Sequence, residues 1–218
     1  MKNRFLKFLK PDNQLLQHIS KPVLEKDLLT EKTKNIIETM LKGAYGEQKD
    51  SNKPVLVGLA APQFGIFKRI ILVDLAADGK GKVGDLRIYI NPEIIWKSED
   101  VNAWYEGCFS TGKVCGIVSR SVSIKIRALI INNPGFEAIQ PPGLVEVEET
   151  HKGYVARIFQ HEIDHLNGVR FPDLITDPDK LHWVEKKQFP LYRNKQGWKN
   201  WPKKCSFEKW RRIRNYGI

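Results

Sequence analysis

Two histidines four residues apart, His161 and His165, with Glu162 directly after the first, stand in the run Gln160-His161-Glu162-Ile163-Asp164-His165-Leu166-Asn167-Gly168. On an α-helix, positions i and i+4 lie on one face, about a turn apart. The imidazoles of His161 and His165 can therefore hold one metal ion together, with Glu162 beside them as a proton carrier. The competing reading is a surface helix that carries two histidines by accident. A His-Glu-x-x-His run arises by chance on the order of once in a few hundred chains of this length, which favours a site.

The segment must be helical for this to work. From Val155 to Leu166 the apolar residues fall at Val155, Ile158, Phe159, Ile163 and Leu166, which fits a 3.6-residue period better than alternation. Ile158, His161 and His165 share one line along that helix, and Val155, Phe159, Glu162 and Leu166 share the next. Thr150 is read as the N-cap and Gly168 as the stop. Upstream, Ile36, Ile37, Met40, Leu41 and Ala44 give an amphipathic helix that Thr30 caps and Gly46 ends, with a polar loop over 47–54. Residues 11–30 read as an extended arm. Strands are expected at Arg69–Leu75, at Leu86–Ile90 and Glu93–Trp96 on either side of Asn91-Pro92, at Val101–Tyr105, at Ser121–Ile130, and at Phe136–Gln140 and Leu144–Glu148 after a turn at Asn132-Asn133-Pro134-Gly135. The fold class is α+β, mainly antiparallel strands packed around a central metal-binding helix. We divide the chain into a catalytic body, residues 1–180, and an extension, residues 181–218.

Composition narrows the class. With 218 residues and 41% hydrophobic content, the chain suits one sizeable core. No apolar run reaches membrane-spanning length, and the basic N-terminus lacks the apolar stretch of a secretory signal. Three cysteines without framework spacing point to a reducing cytoplasm. Of these, Cys115 and Cys205 are read as ordinary thiols. His18, His151 and His182 lack ligand spacing and are expected at the surface or in caps. Arg120 and Arg157 either pair with acids or touch a substrate.

Three blocks stand in order: Gly58-Leu59-Ala60-Ala61-Pro62-Gln63, Glu106-Gly107-Cys108-Phe109-Ser110, and Gln160-His161-Glu162-Ile163-Asp164-His165. Together they resemble the peptide deformylases, which remove the formyl group from the N-terminal methionine of nascent bacterial and organellar proteins. Pro22-Val23, the series Gly116, Val118, Arg120, and the pair Asn167-Gly168 support the resemblance, which spans roughly residues 11–175 by motif placement. It implies a metal held by Cys108, His161 and His165, with Fe(II) native and zinc, nickel or cobalt able to replace it; the ligand set alone suits zinc equally. It also implies Glu162 as the acid–base group, and the Gln63 amide and the backbone N–H of Phe109 as donors to the oxyanion. Taken alone, Gln63 reads slightly better as a satisfied core amide. By the same resemblance Gly58 lines the peptide groove, while Val57, Glu106, Tyr154, Arg157 and Ile158 border the methionine pocket. The implied substrate is a formyl-Met peptide or nascent chain, and we expect a monomer with no membrane contact.

This chain departs from the family pattern at three places. Leu56 stands where glycine is usual, and its side chain either narrows the groove or turns into the core. Phe109 replaces a leucine. Thr111-Gly112-Lys113 replaces an apolar-Pro-Gly run. The extension is distinctive too. Of the net charge of +11, nine basic residues after Phe189 against Glu208 alone leave +8 in the tail and +3 in the rest. Interleaved with Trp198, Trp201, Trp210 and Tyr216, these cations either contact ribosomal RNA by charge and stacking or stay solvated while the tryptophans anchor the tail; we favour anchoring.

Two rival functions remain. A His-Glu-x-x-His protease would need a third ligand downstream and has no use for Cys108. A catalytically weak deformylase-like protein, binding nascent chains or RNA, draws its support from Leu56 and Thr111-Gly112-Lys113.

Overall fold

The computed structural model describes residues 7–49, 55–131 and 144–216. Five strands form the larger sheet: β1 (Gly58–Ala60), β2 (Ile70–Asp74), β3 (Leu86–Lys97), β6 (Ser123–Ile131) and β7 (Leu144–Lys152), paired in that order and antiparallel throughout. A smaller antiparallel sheet holds β4 (Val101–Gly107), β5 (Val114–Ser121) and β8 (Leu181–Trp183). The helices are α1 (Glu25–Leu28), α2 (Glu31–Lys49), α3 (Gly153–Leu166), α4 (Phe189–Tyr192), α5 (Lys195–Lys199) and α6 (Phe207–Tyr216). This is the expected α+β architecture, with α3 at its centre.

The continuous apolar run of β2 is explained by burial on both faces. Ile71 and Val73 point to α3, where they meet Ala156, Phe159, Ile163 and Leu166. Ile70 and Leu72 point the other way, to Ile37, Met40 and Ala44 of α2. Leu56 lies in this second cluster, 4% exposed. Its side chain therefore turns into the core and leaves the groove alone.

Several local expectations fail for tertiary reasons. Thr150 does not cap α3, because β7 runs on to Lys152 and pairs Thr150 with Lys125. The chain turns at Gly153 (φ +59°), and Lys152 is the N-cap without a side-chain bond. Asn91-Pro92 does not divide two strands. It is an irregularity inside β3, where Asn91 adopts φ +52° and its side chain exchanges hydrogen bonds with the backbone of Val23 at 2.8 and 2.9 Å. Gly46 does not end α2, which continues to Lys49; the Gln48 amide donates to the Leu56 carbonyl at 3.0 Å and to Asp74 at 2.9 Å. The arm over 11–30 is broken by a 3-10 turn at Gln14–Gln17 and by α1. The turn at 132–135 and the strand at 136–140 lie outside the described residues. β5 has no counterpart among the expected strands, since both of its faces are covered and alternation disappears.

The tail supplies those covers. Val114 and Val118 face Cys205, Trp210 and Ile213 on one side, while Cys115 and Ile117 face Val184, Tyr192 and Trp201 on the other. The expected boundary after residue 180 falls at the start of β8, which hydrogen-bonds to β5. His182, expected at the surface, is buried in β8: its Nδ1 lies 2.6 Å from the Tyr192 hydroxyl and its Nε2 2.9 Å from the Asp179 carbonyl. Trp201 and Trp210 are buried, so tryptophan anchors this segment. The Trp210 indole donates to Asp173 at 2.8 Å and lies under the Arg170 guanidinium, 4.8 Å from the ring centroid. Replacing Trp210 with alanine is expected to cost about 3–5 kcal/mol, the range for deleting a large buried aromatic; urea unfolding of the two full-length proteins measures it.

Candidate active site

Strand alternation puts Glu106 and Cys108 on the same side of the chain as it leaves β4. That side faces α3. The Cys108 Sγ lies 3.3 Å from His165 Nε2, and the His161 and His165 rings are 5.0 Å apart between centroids, nearly perpendicular. One donor atom from each of Cys108, His161 and His165 falls within 4.8 Å of the others. A soft sulfur and two imidazoles suit a transition metal and leave an open fourth position.

Glu106 holds this constellation in place. Its Oε1 accepts from Arg120 Nε at 2.8 Å and Arg157 Nη1 at 2.7 Å; its Oε2 accepts from Arg120 Nη2 at 2.9 Å and lies 2.9 Å from His161 Nδ1. Engaging Nδ1 leaves Nε2 of His161 for a metal and fixes the ring. Expected beside the methionine pocket, Glu106 has both oxygens occupied by protein groups. Burial alone would raise its pKa, but the charge and hydrogen bonds of Arg120, then His161, hold the carboxyl far below the usual range. Arg120 also reaches Asp164 at 2.5 Å, and Arg157 donates to the carbonyls of Val118 and Asn102. Both arginines thus pair with acids. For His161, burial opposes the charge, yet the hydrogen bonds and attraction of Cys108 and Glu106 raise its pKa well above the ordinary value. For His165, burial and the neighbouring cations lower it.

Glu162 is 4% exposed. Burial is the main cause that pushes its carboxyl up to about 7. Its Oε2 has no hydrogen-bond partner among the described residues. An unpaired buried oxygen costs about 1–3 kcal/mol, so a group that hydrogen-bonds to it there is held favourably. Gly58 allows the approach of β1 to this carboxylate: a Cβ there would sit 2.5 Å from Glu162 Oε1 and 2.6 Å from Ile158 Cγ2. Val57 is half-buried at the edge of the same cluster, and Ile158 is buried within it.

Gln63 is 3% exposed and both ends of its amide have partners. Its Oε1 accepts from the Ala60 N–H at 2.8 Å, which aims Nε2 at Cys108 Sγ, 3.3 Å away, and at Ser110 Oγ, 3.4 Å away. Phe109 opens a 3-10 turn, Phe109–Thr111, capped by Cys108. The first N–H of such a turn has no partner within it. The Thr111 hydroxyl lies 3.0 Å from the Cys108 carbonyl and 2.9 Å from that of Val114, so threonine closes the loop in place of the apolar-Pro-Gly run. Tyr154 and Arg157, with Asn102, Trp104 and Gly79, line a cavity of about 200 Å³ that none of the three donors lines. Sequence reasoning missed the clamp on Glu106, the partnership of Asp164, and Gln160, which brackets Ser121 through its N–H at 3.2 Å and its carbonyl at 3.0 Å. No local periodicity signals these partners.

The chain is similar to known proteins in both sequence and fold. The profile of the family described as polypeptide deformylase matches residues 5–181. The peptide deformylase of Pseudothermotoga lettingae is 41% identical over 140 residues, 64% of this chain and 70% of the relative. That of Halothermothrix orenii is 37% identical over 171 residues, 78% of this chain and 94% of the relative. The crystal structure of class I type b peptide deformylase from Acinetobacter baumannii with Met-Ala-Ser bound superposes with a TM-score of 0.65 at 29% identity, covering 78% of this chain and 98% of that one. The actinonin-bound structure of the same enzyme gives a TM-score of 0.63.

The Glu106 clamp carries a pH signature. Its folded-state pKa lies below the unfolded value, so its stabilisation is complete above the ordinary carboxylate range and drains away as pH falls through that range. Glu106→Gln is expected to destabilise the protein by about 3–5 kcal/mol at pH 7, because two buried arginines lose their partner. In urea unfolding from pH 7 down to pH 3, the gap between the two proteins should narrow once the ordinary carboxylate range is entered.

Proposed function

This chain belongs to the polypeptide deformylase family, a metal-dependent hydrolase that removes N-terminal formyl groups, and we propose that Cys108, His161 and His165 hold its metal as Fe(II) while Glu162 moves the proton. The observation that carries this reading is the convergence of Cys108, His161 and His165 beside a buried, unpaired Glu162 oxygen. Zinc, nickel or cobalt fits the same donors. When bound, the metal supplies a Lewis acid that brings the pKa of water near neutrality.

The side chains do the rest. Glu162, with its carboxyl raised to about 7, can hold and release a proton near neutral pH. It takes one from the attacking water and delivers it to the leaving amine as the formyl C–N bond breaks. Gln63 Nε2 and the Phe109 N–H stabilise the negative oxygen of the tetrahedral intermediate; one such donor is worth roughly a hundredfold to a thousandfold in rate. Products are formate and a free N-terminal amine. The peptide lies along β1 past Gly58, as an added strand. Val57, Tyr154, Arg157 and Ile158 border the pocket for the first side chain, and Glu106 acts there through Arg157. The substrate is a formyl-Met peptide or nascent chain, met by a monomer in the cytoplasm. A Met-Ala-Ser complex of a relative supports that peptide class. Among the described residues, no helix is long and apolar enough to cross a membrane.

Iron-loaded protein is expected to release formate from a formyl-Met peptide, and Glu162→Ala to lower kcat by about a hundredfold to ten-thousandfold. No release by either protein would falsify the enzyme assignment.

The tail adds a partner. Lys199, Lys203, Lys204, Arg211 and Arg212 are exposed while Trp201 and Trp210 are buried, so any contact with ribosomal RNA is by charge, with Tyr216, 83% exposed, as the free ring. Ribosome binding by the full chain is expected to weaken steeply with salt. With Lys199, Lys203, Lys204, Arg211 and Arg212 replaced by glutamine, which leaves Trp201 and Trp210 in place, the full chain should bind less tightly at low salt and with a shallower salt slope; equal affinity removes the RNA proposal.

A further inference from the structure

Phe8 lies between two side chains that come from distant parts of the chain. Its ring is stacked on Phe109, with centroids 4.3 Å apart and planes 13° apart, and tilted against Phe64, with centroids 4.6 Å apart. Phe64 follows Gln63, and Phe109 follows Cys108. The neighbouring backbone is tied to the same two places. The Leu9 N–H donates to the Gln63 carbonyl at 2.8 Å. Arg170 Nη1 donates to the carbonyls of Pro11 at 2.6 Å and Ser110 at 3.2 Å. Residues 8–11 therefore run as a strap from the turn that carries Gln63 to the turn that carries the Phe109 N–H. Phe109 itself is 38% exposed, so the stack with Phe8 is a specific face-to-face contact on a ring that water also reaches.

We propose that Phe8 is a positioning residue for the reaction: its ring, held between Phe64 and Phe109, fixes the distance between the Gln63 amide and the Phe109 N–H so that both reach one oxygen. This rests on reading those two groups as the oxyanion donors. Gln63 and Cys108, the residue before the second donor, are 45 positions apart. The Gln63 amide already reaches across to Cys108 Sγ and Ser110 Oγ, and the Phe8 ring packs beside that contact against both segments. Aromatic pairs add about 0.5–1.5 kcal/mol beyond the area they bury, and only in defined geometries. A flat ring on a flat ring thus transmits position where a leucine would only fill space. Misplacing a catalytic group by about 1 Å can cost a hundredfold. The phenylalanine after Cys108, where leucine is common in the family, acquires a reason: it is the partner that Phe8 requires.

The test uses the full chain loaded with iron, at a temperature well below the unfolding midpoint. Phe8→Ala is expected to lower kcat and kcat/KM together by about tenfold to a hundredfold, the pattern of an interaction made only in the transition state. Metal content should stay unchanged. Phe8→Tyr, which keeps the flat face, should restore turnover. In metal-free protein, amide exchange over residues 107–112 should quicken in Phe8→Ala while α3 stays protected. Should Phe8→Ala not fold, Phe8→Leu replaces it and is read the same way. A variant that loses only thermal stability, with kcat within about twofold of the parent, overturns the proposal. An inactive parent protein would instead overturn the enzyme reading beneath it, and the exchange measurement keeps the two failures apart.

Discussion

One buried carboxylate sets the geometry of this molecule. Glu106 sits on β4, Arg120 on β5, and Arg157 and His161 on α3, so a single side chain joins the small sheet to the central helix. Charges buried this deeply are tolerated only when each is matched. Two guanidiniums and an imidazole converge on the two oxygens of Glu106 and leave few alternative arrangements. Cys108 follows two residues later on the same side of the strand, and the orientation imposed by the clamp delivers its sulfur to His165. The clamp and the three candidate metal donors thus share one framework.

The second constraint is close approach. β1 can lie against α3 only because position 58 lacks a side chain, since a Cβ would collide with Ile158 and Glu162. This proximity encloses Glu162 and explains the upward shift of its carboxyl. The same packing leaves Gln63, in the 3-10 turn Ala61–Phe64 after β1, with its carbonyl oxygen tied to Ala60 and its amide nitrogen pointing toward the sulfur. Burial therefore raises the pKa of the Glu162 carboxyl and aims the Gln63 amide at the sulfur at once.

Both ends of the described chain are recruited to the loop that carries Cys108. The N-terminal segment reaches it through Phe8 and Pro11, and the tail reaches it through Trp210 and Arg170. Arg170 is almost fully buried, and burial brings its pKa down to about 10. The tail's cations stay outside while its aromatic residues go inside. Long basic side chains keep their charge in water at little cost, whereas a tryptophan gains most by leaving it. A segment can in this way be structural on one face and electrostatic on the other.

The sequence by itself determined what short-range periodicity encodes. The 3.6-residue rhythm around His161 and His165 placed both imidazoles on one face of a helix, and the stop at Gly168 held because its backbone requires φ +72°. The blocks around Gly58, Cys108 and His161 were enough for the fold class and the reaction. Tertiary structure alone decided the rest. Thr150 lost its capping role to a strand that ran on, and Asn91 became a bend because Val23, 68 residues away, exchanges hydrogen bonds with it. The clamp on Glu106 needs partners 14, 51 and 55 positions away. Such pairings follow from which elements happen to face one another, and no local pattern of residues carries that information.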